Sequence, residues 1–259
     1  MSNRLNRATV AALFPLLRSK MFRLRILPIL RGAAGTRQDP TPCSQILALL
    51  FAASLGRTAA AQPLFPQLES RAAALAALEN ADARLRLAGV VYFGRNGLAP
   101  DGPLLVKRLS DENPVVREAA GEAVWLAWSR SGNAQTDRLL ESGIAEMNAG
   151  RYPQAIAIFS ETIKRDPNFA EGWNKRATAY FLAGEMRKSL ADCDEVMKRN
   201  PQHFGALSGY GQIYARLDEY EKAIEYFQRA LAVNPNLTDL RTVIQGLEEL
   251  ARDRRRRTI

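Results

Sequence analysis

The chain has 259 residues, 47% of them apolar and 24% charged, which is enough apolar material for a true core. With two cysteines and one histidine (Cys43, Cys193 and His203), it lacks the residues for a histidine-based zinc site or a Cys/His cluster. The formal charge of +9 is uneven: residues 1–61 carry nine basic side chains and one acid, which leaves +1 on the other 198, so no basic face for nucleic acid is expected.

Within residues 1–61, Ile46 to Gly56 form an uncharged, mostly apolar run behind a basic region. Eleven residues at ~1.5 Å each cannot cross a ~30 Å hydrocarbon core. The run suits the hydrophobic region of a secretory signal, and Ala59-Ala60-Ala61 offers a small-x-small cleavage pattern that would leave Gln62 first. The expectation is a periplasmic or secreted protein. An uncleaved leader acting as a membrane anchor, or a mitochondrial or plastid transit peptide, fits the same basic composition. Cleavage would remove Cys43 and leave Cys193 without a disulfide partner.

Residues 62–133 hold a weak 31-residue period. Leu78, Arg86 and Ala88 align with Leu109, Arg117 and Ala119, around the turns Asn80-Ala-Asp82 and Asp111-Glu-Asn113-Pro114. A proline is tolerated in a helix's first turn, so a second helix should open at Pro114. This pattern resembles HEAT-type repeats. Ser129 to Asn133 read as a polar link.

A stronger period follows. Pro167, Pro201 and Pro235 are each 34 residues apart. Aligned on them are Phe159, Cys193 and Phe227; Ala155, Ser189 and Ala223; Gly143, Ala177 and Gly211; and Glu146, Tyr180 and Tyr214. Gly150, Gly184 and Asp218 fall where each helix pair must turn. This resembles the tetratricopeptide repeat, with units at 136–169, 170–203 and 204–237. The third is nearest the pattern, with Tyr210-Gly211, Tyr214, Ala223, Phe227 and Pro235. Apolar spacing from Leu240 to Leu250 predicts a helix capping the stack over 238–252, with a basic tail at 253–259. The expected fold class is all-α: a solenoid of antiparallel helix pairs with a C-terminal capping helix. The whole arrangement resembles small bacterial secreted proteins in which a short HEAT-like region precedes these repeats.

The residues point away from catalysis, and no cofactor or metal is expected. The sequence has neither a phosphate-binding glycine loop nor a nucleophile placed to use His203, which should cap a turn. Glu185, Asp192, Asp194 and Glu195 should lie on outer helix surfaces, and Trp125 and Trp128 should pack in the core or between the two arrays.

Binding a protein or peptide partner is what the resemblance implies, on a concave wall built by the first helix of each unit. The candidate partner-binding residues there are Ile144, Met147, Asn174, Lys175, Thr178, Phe181, Gln212 and Arg216. Some relatives grip a partner's terminal carboxylate with Lys, Asn and Arg. The matching places here hold mostly Asp137, Glu141, Glu171, Gly205 and Gly209, so that clamp is not expected. Membrane contact is expected only through the leader or the Arg254–Arg257 tail. The function expected is that of an exported adaptor or scaffold. Its rivals are a membrane-held accessory factor of the cell envelope and an organelle-targeted repeat protein.

Overall fold

The computed structural model describes residues 65–258; the leader and its cleavage pattern lie outside them. Four helices come first: α1 (Arg71–Leu78), α2 (Ala83–Asn96), α3 (Gly102–Arg108) and α4 (Pro114–Trp128). Asp82 caps α2 by accepting from the Arg84 N–H, and Asn113 caps α4 by accepting from Val115 and Val116. Each acidic turn therefore ends one helix and starts the next. The 31-residue period recurs in the hydrogen bonds. Arg86 Nη1 donates to the carbonyls of Asn80 and Ala81. Arg117 Nη1 donates to those of Asp111 and Glu112, 31 residues further on in each case. Arg86 also grips the buried Asp111 carboxylate through Nε and Nη2, at 2.8 and 2.9 Å, which joins the two hairpins.

Three helix pairs follow: α5 (Ala134–Asn148) with α6 (Tyr152–Arg165), α7 (Ala170–Leu182) with α8 (Met186–Arg199), and α9 (Phe204–Arg216) with α10 (Tyr220–Val233). The turn within each pair needs one left-handed residue, which glycine adopts without a steric cost. Gly150, Gly184 and Asp218 supply it, with φ of 75°, 84° and 60°. Within the pairs, small residues let the helices approach. A Cβ on Gly211 would lie 2.6 Å from the Phe227 ring, and one on Gly143 would collide with Phe159 in the same way. In the second pair both partners differ: Ala177 stands for the glycine, and the smaller Cys193 stands for the phenylalanine.

Helix α11 (Asp239–Thr258) buries Leu240, Val243, Ile244, Leu247 and Leu250 against the last repeat, as its spacing predicts. It runs further than expected. Residues 253–258, read from sequence as a tail, continue the helix. Arginine is a good helix former. Arg254 donates to the carbonyl of Asp218, and Arg255 pairs with Glu221 at 3.2 Å.

The described residues thus form an all-α solenoid of helix pairs with a C-terminal cap. Its first four helices do not simply extend the row of repeats; they fold back against it. Asn236 Nδ2, at the start of the capping segment, donates to the carbonyl of Leu109 at 2.7 Å across 127 residues. One buried cluster runs from Leu78, Phe93, Leu105 and Val124 through Trp128 and Phe204 to Phe227 and Leu247. A second, of Leu140, Met147, Phe159, Phe169 and Ala179, takes Ala99 of the first region against it. The link is fixed as well: Arg130 donates to the carbonyls of Gly94 and Gly97, and the Asp137 carboxylate accepts from the Ser131 N–H and hydroxyl.

Candidate functional site: the inner wall of the repeats

The wall is built from the first helices α5, α7 and α9. Of the eight residues assigned to it from sequence, Arg216 is exposed, and Ile144, Lys175 and Thr178 are half-buried. Met147, Asn174, Phe181 and Gln212 are buried, and so offer a partner little surface. Phe181 belongs to a core cluster with Ala177, Cys193, Tyr210 and Ile213, so it packs the interface between the second and third pairs. Arg216 lies over its ring at 4.8 Å.

Helix α4 covers one edge of the wall. Trp125 and Trp128 sit at the N-terminal ends of α7 and α9 and pack between the two regions, in line with the sequence reading. Trp128 stacks on His203 with centroids 4.3 Å apart and planes 17° from parallel. Trp125 meets His203 and Phe204 edge-on, at 5.7 and 5.0 Å. Its ring tip fills the space that a Cβ on Gly205 would need. Lys175 Nζ lies 5.7 Å from the Trp125 centroid.

Behind the indoles lies a buried polar group. His203 caps α9 as expected: its Nδ1 accepts from the Ala206 N–H at 3.0 Å. Its other nitrogen, Nε2, therefore carries the proton and donates to Glu171 Oε2 at 2.9 Å. Asn174 donates to the same oxygen at 3.0 Å. Lys175 Nζ sits 2.8 Å from Oε1, an ion pair whose angles fall outside those of a hydrogen bond. Burial of Glu171 acts to raise its pKa, but Lys175 and His203 outweigh it and bring the value down to about 2. Glu171 is 1% exposed, so it serves as an internal anchor of the wall.

Asp192 corrects another expectation. It is buried and not on an outer surface, because Arg176 reaches across from α7 and binds it through Nε and Nη2, both at 2.8 Å. Its neighbour Asp194 is exposed, as expected, and accepts from the Tyr210 hydroxyl. Cys193 is buried, and burial pushes its thiol pKa well up.

Residues 140–197 and 206–237 match models described as tetratricopeptide repeat. The chain carries tetratricopeptide repeats. A TPR repeat-containing protein of Rhizobium etli is 31% identical over 125 residues, covering 48% of this chain and 61% of that protein. Hsp70-Hsp90 organizing protein 3 of Arabidopsis thaliana is 27% identical over 154 residues, covering 58% of this chain and 26% of that protein. The structure of the first TPR of Spaghetti bound to an HSP90 peptide is 24% identical, covers 45% of this chain and 94% of its own, and has a TM-score of 0.43. The chain spans less than two thirds of these curated relatives. The matched segments overlap all three helix pairs described above, and the wall of those pairs is the face that α4 partly covers.

Proposed function

We propose that the chain is a non-catalytic adaptor that binds a protein or peptide partner on its tetratricopeptide wall. The observation that carries this reading is the division of the wall. Its N-terminal edge is closed by Trp125 and Trp128, while Thr178 and Arg216, further along α7 and α9, keep exposed surface. Binding then centres on Ile144, Thr178 and Arg216, with Lys175 at the border of the closed edge. Met147, Asn174, Phe181 and Gln212 support the wall from beneath. The name of the Arabidopsis relative speaks of organizing two other proteins, which is work of this class. A carboxylate clamp is not part of the reading, because Glu171 and Gly205 occupy two of its places and are committed to internal contacts.

The first four helices fit a HEAT-like ancestry through their recurring arginine–carbonyl bonds. Export completes the proposal and rests on the apolar run and the Ala59-Ala60-Ala61 pattern. N-terminal sequencing of the protein from its host should find Gln62 or a near neighbour first; a start upstream of Ile46 contradicts export.

The test of the adaptor reading is a pull-down from the exported fraction. Arg216→Glu should weaken capture of the partner by ~1–3 kcal/mol, the range for a central interface arginine. Glu161→Lys, exposed on the second helix of the first pair, should leave capture unchanged. The reverse pattern contradicts the reading.

A further inference from the structure

The last buried residues of α11 are Leu250 and Ala251, yet the helix continues to Thr258. Those extra two turns contain Arg252, Asp253 and Arg254–Arg257, with no apolar residue to bury. Successive residues turn by about 100°, so the arginines surround the helix end and form no stripe along it. Residues 252–256 are exposed, and the contacts of Arg254 with Asp218 and of Arg255 with Glu221 brace this end against the third repeat. Residues 252–257 carry a net +4, which leaves −3 on residues 62–251. The folded part is a negative body with a positive tip.

We propose that this arginine tip docks on an anionic lipid surface, touching it end-on. Charge around a helix end suits a plane, which exposed arginines outside those two contacts, such as Arg252 and Arg256, reach by a small bend of their stems. A nucleic acid fits less well. A long polyanion would run on past the tip over Asp218, Glu219 and Glu221, which with the single cation Lys222 line the surface beside Arg254 and Arg255, and which repel phosphates on balance. Residues 252–258 hold no aromatic or apolar side chain, so attachment through them is electrostatic and reversible by salt. Docking this way would leave the inner wall free for its partner.

The experiment sediments the full-length protein at low salt with vesicles of phosphatidylcholine alone, or of phosphatidylcholine mixed with phosphatidylglycerol. Wild type is compared with the triple variant Arg255→Ser, Arg256→Ser, Arg257→Ser, which keeps Arg254 on Asp218. Residues 1–61 carry +8 of their own, so the same pair of chains is also compared with that segment removed, and the contribution of the tip is read there. Each arginine near an anionic surface is worth roughly fivefold in binding. The triple variant should therefore bind the mixed vesicles about 100-fold more weakly, with an unchanged thermal midpoint, and raised salt should release the wild type. Undiminished binding of the variant overturns the proposal. So does a wild type that ignores the mixed vesicles, or one that prefers a DNA duplex to them.

Discussion

Trp128 and His203, 75 positions apart in sequence, lie face to face with ring centroids 4.3 Å apart. The imidazole cannot turn away, because one nitrogen caps α9 and the other holds Glu171. The indole is thus fixed to the repeats, and the first four helices are fixed with it. This joint makes two sequence regions one packing unit. Trp128→Ala should destabilise the protein by ~3–5 kcal/mol, the range for emptying a large buried aromatic site. Wild type should unfold in one transition in denaturant. The variant should unfold in two, followed by circular dichroism, as the regions lose their joint. A single transition with a loss under ~1 kcal/mol would mean that the indole does not couple them.

The seam of each repeat gives a second test, because partners change together. Phe159 and Phe227 face glycines, whereas Cys193 shares its cluster with Ala177. Cys193→Phe alone should destabilise the array by ~1–3 kcal/mol, since the added ring needs the volume of the Ala177 methyl. Adding Ala177→Gly should recover much of that loss, although glycine within a helix itself costs about 1 kcal/mol. A double-mutant cycle by urea melts measures the coupling, and a coupling near zero contradicts the seam argument.

Glu171 sets a pH dependence whose sign is fixed. Its folded value of about 2 is below the ordinary 4.5. It therefore contributes stability that is fully present above pH 4.5 and is lost as the pH falls through about 2. At neutral pH the contribution is on the order of 3 kcal/mol, since each tenfold change in proton affinity is worth about 1.4 kcal/mol. Glu171→Gln should be less stable than wild type at neutral pH, and the two should converge on acidification. Chemical denaturation at several pH values checks this; a constant difference across the range would show that the carboxylate is not held by Lys175 and His203.

Most of the repeat architecture was legible because it is periodic. Prolines 34 residues apart set the helix pairs, and Gly150, Gly184 and Asp218 fell on the three left-handed turns. His203 was legible as a cap by its place beside Pro201. The wall was legible only in part. The spacing that points Phe181 and Gln212 inward says nothing about what covers them, and neighbouring helices bury both. Asp192 looked like solvated charge because its partner Arg176 belongs to the preceding helix, 16 residues away. The fold-back of the first region left one trace, two tryptophans on one helix, more than the packing of a short hairpin requires. Their contacts with His203, Phe204 and Gly205 obey no period, so no pattern in the chain announces them.

Site-specific photo-crosslinking tests the central claim most directly. A photoreactive phenylalanine analogue is placed at Thr178 or Arg216 on the inner wall, and at Glu161 on the outside, in protein expressed in its host. The account predicts a crosslinked partner band from Thr178 and Arg216, absent from Glu161 and identified by mass spectrometry as the same protein in both cases. Crosslinks from Glu161 with none from the wall positions would contradict it and place the partner on the outer helices.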